Sequence, residues 1–147
     1  MVKTVYIGSD HAGLTLKNVL VPSLRQAGWN IEDLGTKTGE SCDYPDFAHT
    51  VCAKVLETGD LGILICGTGI GMSMAANRHT GIRAAVCCHE FHARMAREHN
   101  NANVLCLGER VTAPGLAYEL TNIFLTSEFA GGRHQRRIDK IEPNYIL

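Results

Sequence analysis

The chain has 147 residues, 45% of them hydrophobic and 20% charged, with 14 lysines and arginines against 15 acidic residues for a net charge of -1. This is the composition of an ordinary globular protein able to bury a core without covalent staples, and it excludes a disordered chain, a collagen-like fibre and a low-complexity tail. A near-neutral balance creates no global field for nucleic acid or an anionic membrane, so neither is expected as a partner. The whole chain, 1–147, reads as one domain.

The opening MVKTVYIGSDHAG carries one lysine and only a short apolar run. A signal peptide needs about 7–15 apolar residues and a spanning helix about 20, so a cytoplasmic protein is expected. The six cysteines (Cys42, Cys52, Cys66, Cys87, Cys88, Cys106) then read as buried free thiols rather than three disulfides.

Runs at 4–8, 29–34, 61–66, 83–88 and 103–108 are of strand length and rich in Val, Ile and Leu. They are near-continuous rather than alternating, the pattern of strands buried on both faces of a parallel sheet. Helical stripes lie between them: Leu16, Leu20, Leu24 and Ala27; Phe47, Val51 and Val55; Phe91 with Met95; Leu116, Leu120, Ile123 and Phe124. Thr112 ahead of Pro114 reads as an N-cap, and Pro22 should kink the first helix. No repeat or linker interrupts the series. The expected fold is a three-layer α/β/α, Rossmann-like domain with a parallel sheet of about five strands.

Such a fold binds ligands just beyond the carboxyl ends of its strands. Those ends carry Ser9-Asp10-His11, Cys66-Gly67-Thr68-Gly69, Cys87-Cys88-His89 and Gly108-Glu109-Arg110, which puts thiol, imidazole, carboxylate and guanidinium on one edge. The strongest local feature is LGILICGTGIGMSMAANR, where a strand runs through Cys66 into glycines 67, 69 and 71 and then a helix of small residues. Three glycines let the backbone turn sharply and present N–H groups to an anion. The dinucleotide fingerprint fails because the third glycine comes one position early, and Walker A fails for want of a lysine. A cysteine-dependent phosphatase would need arginine six positions after the cysteine, where Met72 stands. A cysteine at a helix entrance is placed to be stabilised as a thiolate, acting as nucleophile or general base; the alternative is a small apolar residue closing a strand, the reading that suits the other five cysteines.

His89, His92 and His99 share one helical stretch, but the spacing fits zinc poorly, with no CxxC and two vicinal cysteines, so no metal is expected. His99, followed by Asn100 before the last strand, is the better catalytic candidate, against a plain role as a helix C-terminal histidine. In the tail GGRHQRRIDKI, Arg133 and Arg137 fall at i,i+4 and suit a phosphate, or else form a solvated basic face.

SDHAG at 9–13, DYPDFA at 43–48, CGTGIGMSMAAN at 66–77, GIRAAVC at 81–87, REHNNANVLCLGERV at 97–111 and GGRHQRR at 131–137 together resemble the type B ribose-5-phosphate isomerase family, whose relatives include allose- and galactose-6-phosphate isomerases. The likeness runs in order from residue 4 to about 141. It implies an aldose–ketose isomerase that needs no metal or nucleotide cofactor. By that resemblance Cys66 is the base that moves a proton between C1 and C2 through a cis-enediolate, and His99 opens the sugar ring. Thr68 and the N–H groups of Gly67, Gly69 and Gly71 would hold the enediolate oxygens. Asp10 and Tyr44 would meet the sugar. His11, Arg133 and Arg137, assisted by Arg110, would bind its phosphate, with the basic segment 131–141 supplying ligands, and Asn100 would also touch substrate. The family site lies between subunits, so the resemblance implies a homodimer or homotetramer in which His99 crosses to Cys66. Ribose 5-phosphate is the expected substrate. The alternatives are a six-carbon 6-phosphate sugar, a non-catalytic sugar-phosphate binder, and a thiol-redox or metal protein.

Overall fold

The computed structural model describes residues 3–142, so positions 1–2 and 143–147 of the expected domain lie outside the described residues. Five strands, β1 (Thr4–Ser9), β2 (Asn30–Asp33), β3 (Leu61–Cys66), β4 (Ala84–Val86) and β5 (Val104–Gly108), form one all-parallel sheet in the order β2-β1-β3-β5-β4. Six helices connect and follow them: α1 (Leu14–Gln26), α2 (Tyr44–Thr58), α3 (Ile70–Ala76), α4 (Glu90–Glu98), α5 (Pro114–Thr126) and α6 (Arg133–Ile138).

Alternate residues of the central strands feed two apolar cores, because successive side chains of a strand point to opposite faces. Ile7, Ile63, Ile65, Leu105 and Leu107 pack with Leu16, Leu20 and Leu24 of α1, Ala93 of α4, and Leu120 and Phe124 of α5. Tyr6, Leu64, Val104 and Cys106 face the other way, onto Val51 and Val55 of α2 and Met72 and Ala76 of α3. Helices thus cover both faces, giving the expected three layers. The chain starts at β1, steps to β2 on one side and to β3 on the other. The order therefore reverses between β1 and β3, and that switch point opens a crevice at the strands' carboxyl ends.

Several local expectations need correction. Only β1, β3 and β5 are buried on both faces; β2 buries Ile31 alone and β4 is half-buried throughout, because both are edge strands. Ala27 is the exposed C-cap of α1, and Lys17 and Val21 complete that helix's inner face instead. Pro22 lies inside α1, on its exposed side, and the helix runs on to Gln26. The N-cap of α5 is Ala113, and Thr112 is buried with its N–H on the Gly108 carbonyl. Phe91 is 65% exposed, and α4 buries Ala93 and Ala96 in its place. All six cysteines are free, yet Cys88 is exposed and Cys42 only half-buried, so neither is a core residue. Burial pushes the Cys52 thiol up to about 12; burial and the neighbouring Cys88 do the same for Cys87. Cys106, on inner strand β5, is raised further, first by burial and then by Cys52, Cys66 and Cys87.

Candidate active site

At the switch point β3 ends in Cys66 and the chain turns through Gly67, Thr68 and Gly69 into α3. Gly69 has φ +79, a left-handed conformation that a side chain would strain, and its N–H donates to Cys66 Sγ at 3.2 Å. The sulfur is buried at the floor of the loop while Thr68 is exposed above it. Thr68 Oγ1 accepts the Ile70 N–H at 3.3 Å, which orients the hydroxyl. The loop lies against the end of β5 so closely that a Cβ on Gly108 would sit 2.6 Å from the Thr68 carbonyl carbon. Glu109 N–H donates to the Cys66 carbonyl at 2.9 Å and Arg110 N–H to that of Gly67 at 3.0 Å. The Arg110 guanidinium consequently lies over Gly67, where a Cβ would be 3.2 Å from Nη1. On the other side the Tyr44 ring, from the first turn of α2, covers Gly71, where a Cβ would be 2.7 Å from the ring.

β1 delivers Asp10 and His11 to the same edge. Asp10 N–H bonds the Ile65 carbonyl, next to Cys66, at 3.3 Å. Asp10 Oδ1 caps the short turn His11–Gly13 by accepting the Ala12 and Gly13 N–H groups at 3.0 and 3.1 Å. His11 Nδ1 accepts the Cys42 N–H at 3.2 Å. Asp10, His11, Tyr44, Cys66, Gly67, Thr68, Gly69, Gly71 and Arg110 therefore gather at one edge, as expected.

His99, Asn100, Arg133 and Arg137 do not. A crossover helix runs opposite to the strands, so α4 ends at the amino edge of the sheet, where His99 is its C-cap. The next strand then needs Val104 to Gly108 to climb back to the level of Cys66, about 13 Å at a strand's rise per residue. There His99 stacks on His134 of α6, with ring centroids 4.2 Å apart and planes within 11°. Arg133 and Arg137 flank His134 on the same short helix, both exposed. Partial burial, then His99, Arg133 and Arg137, hold the His134 imidazole below its ordinary range. The expected site residues thus fall into two groups on opposite edges of one chain.

Among the described residues, no three His, Cys, Asp or Glu side chains are grouped to hold a metal ion. His89 and His92 stack on each other at 3.8 Å, and His49 meets His79 at 2.7 Å. Nor is any helix among them long and apolar enough to cross a membrane.

Three side chains were given no individual role from the sequence. Glu109 Oε2 accepts the Leu16 N–H at 2.8 Å and ties the end of β5 to the first turn of α1. His134 supports the His99 ring, and its only signal was membership of a basic stretch. Lys17 is fully buried with Nζ 2.9 and 2.7 Å from the two Asp33 oxygens. Its signal was present, since position 17 falls three before Leu20 and seven before Leu24, inside the apolar stripe.

Known proteins resemble the chain along nearly its whole length. A family model described as Ribose/Galactose Isomerase matches residues 5–141. A putative sugar phosphate isomerase of Bacillus subtilis is 50% identical over 139 residues, 93% of each chain. The ribose 5-phosphate isomerase structure from Thermotoga maritima superposes with a TM-score of 0.93 at 49% identity, covering 95% of this chain and 97% of that one. The Mycoplasma genitalium ribose-5-phosphate isomerase B, crystallised with ribulose-5-phosphate bound, gives a TM-score of 0.90 at 48% identity, covering 94% and 93%. A parallel α/β enzyme with these matches along nearly its whole length is an aldose–ketose isomerase. The chain belongs to the ribose/galactose isomerase family, alongside the type B ribose-5-phosphate isomerases.

Proposed function

We propose that the protein interconverts D-ribose 5-phosphate and D-ribulose 5-phosphate, with Cys66 as the base. The observation that carries this reading is the Cys66 sulfur on the floor of a loop whose Gly69 N–H points at it, with the Thr68 hydroxyl above. In the open-chain aldose, Sγ as thiolate takes the proton from C2 and returns it to C1 while the O2 hydroxyl proton passes to O1, so that the carbonyl moves to C2. The proton next to a carbonyl is weakly acidic, so the step needs a nearby base and a preorganised anion site. The N–H groups of Gly67 and Gly71 and the Thr68 hydroxyl serve as that site for the enediolate oxygens, while the Gly69 N–H stays on the sulfur. Asp10 Oδ2 and the Tyr44 ring receive the sugar, and His11 and Arg110 draw its phosphate.

The second half-site completes the first from another copy. His99 of the partner subunit opens the ring, its Asn100 contacts substrate, and its Arg133 and Arg137 close on the phosphate. Two features of the chain support assembly. Ile70, Met74, Phe91 and Val111 are each at least half exposed, and a cleft of about 510 Å³ runs along the uncovered β4 edge, lined by Ile82, Val86, His92, Met95 and Asn100 among others. Exposed apolar area and an open strand edge are both features that a partner copy covers.

The test is ketose formation from ribose 5-phosphate in chelator, for wild type beside Cys66→Ala. The reading requires metal-independent turnover that falls by about 10²–10⁴ in the variant while thermal unfolding stays cooperative, the range for loss of a positioned base. The name of the family supports a second substrate class, so allose and galactose 6-phosphates are assayed in parallel. A kcat/KM favouring a hexose phosphate overturns the pentose assignment but keeps the chemistry. Full activity in Cys66→Ala overturns the base.

A further inference from the structure

The β2–α2 connection, residues 34–43, leaves the sheet beside the site and returns to it at Cys42, where the backbone N–H meets His11 Nδ1 at 3.2 Å. A backbone N–H only donates, so Nδ1 accepts and the imidazole proton resides on Nε2. A polar anchor fixes the start of the same loop. The Asp33 carboxylate takes both contacts from buried Lys17 Nζ, a third from Lys37 Nζ at 2.8 Å, and the Gly35 N–H at 3.0 Å. Burial alone would push this carboxyl up, but Lys17, Lys37 and Gly35 outweigh it and hold it below its usual range. The following residues lie tight on β1: Leu34 N–H bonds Ile7, Thr36 N–H bonds Ser9, and a Cβ on Gly35 would be 2.6 Å from Ser9 N and 3.0 Å from Lys17 Cδ.

We propose that this loop is a tautomer clamp on His11: Lys17 and Asp33 are positioning residues that, through the Cys42 N–H, keep Nδ1 as acceptor and Nε2–H as the donor offered to the substrate's phosphate. The phosphate part rests on the function proposed above; the tautomer part does not. It makes Lys17, which lies outside the reacting groups, a determinant of substrate binding rather than of the chemical step.

The test reads the histidine ring directly, by nitrogen NMR of the full-length protein labelled on histidine with heavy nitrogen. Wild type is expected to show one His11 species with the proton on Nε2. Lys17→Met keeps the stem that packs on Gly35 but removes the charge, and Cys42→Pro removes the donor while leaving the Lys17–Asp33 pair intact. Both are expected to show mixed tautomers, whereas Cys42→Ala, which removes the sulfur lying 3.8 Å from Nδ1 but keeps the backbone N–H, stays as wild type. Inorganic phosphate binding and KM should weaken roughly three- to tenfold in Lys17→Met with kcat changed less than about twofold, the loss expected of one hydrogen bond. A wild-type proton on Nδ1, mixed tautomers in Cys42→Ala, or a single unchanged species in either Lys17→Met or Cys42→Pro would overturn the clamp. Tautomers that mix while phosphate affinity holds would overturn the phosphate role of His11 and leave the clamp standing.

Discussion

The two half-sites make a quantitative prediction about mixed assemblies. Cys66 stands at the carboxyl edge of β3 and His99 at the amino edge, with about 13 Å of strand between their levels, far beyond the reach of an imidazole. In a symmetric dimer each site then takes Cys66 from one copy and His99 from the other. Cys66→Ala and His99→Asn should each be nearly inactive alone. In a mixed dimer one site combines both substitutions and the other is entirely wild type. Random pairing of equal amounts makes half of the dimers mixed, and half of their sites are intact, so about a quarter of wild-type activity should return. The assay is ketose formation after co-expression of differently tagged chains, compared with the same proteins expressed apart and combined without exchange. If each site were complete within one chain, co-expression would only average two inactive proteins, and activity at background would refute the split.

Gly108→Ala places a methyl against the Thr68 backbone; such overpacking costs about 1–3 kcal/mol and shifts the Cys66 loop, so both Tm and kcat should fall, and an unchanged kcat would show the loop tolerates displacement. Asp33→Asn strands the Lys17 ammonium in the core, and unfolding in urea should reveal a loss of about 3–5 kcal/mol at neutral pH. Because the folded Asp33 carboxyl titrates below its unfolded value of 3.8, its stabilisation is complete above that value and is lost as pH falls through the folded one. The gap between wild type and Asp33→Asn should therefore narrow in acid; a gap constant down to the acid limb would remove Asp33 as its source. In native-state thiol labelling at mildly alkaline pH, exposed Cys88 should react quickly while Cys52 and Cys87, with thiols near 12, stay protected. Cys88→Ser should abolish that fast phase.

The fold was legible because the three inner strands are buried on both faces and read as unbroken apolar runs, while glycines and caps mark their ends. The edge strands were legible only as segments. Their neighbours, not their residues, decide that β4 shrinks to Ala84–Val86 and that Ile31 alone of β2 is covered. Phe91 misled for a related reason: a large apolar residue at helical spacing signals a buried face, and the chain alone does not bury it. The carboxyl-edge half of the site followed from the parallel-sheet rule applied to strand ends. The amino-edge residues were legible one by one, His99 as a catalytic candidate and Arg133 and Arg137 as suited to a phosphate, but their pairing with Cys66 from another copy came only through resemblance, since a histidine ending a helix carries no sign of what it faces. The opposition of the two halves is a consequence of topology, visible once β5 is known to pair in register with β3 from Gly62–Val104 to Cys66–Gly108.

Lys17 shows why an apolar stripe can conceal chemistry. Position 17 sits where leucine or valine would pack, and a buried ion pair seldom exceeds an apolar pair in stability once both charges are desolvated. Stability alone therefore gives little reason for an ammonium there. Geometry gives one. An apolar side chain would contact Asp33 without direction, whereas the ammonium, the Lys37 side chain and the Gly35 N–H together fix the carboxylate and hence the course of the chain as it leaves β2. That course determines where Cys42 meets His11 and where α2 begins with Tyr44 over Gly71. A charge in the core is then a constraint on the site, and its loss should be felt at the imidazole before it is felt at the sulfur.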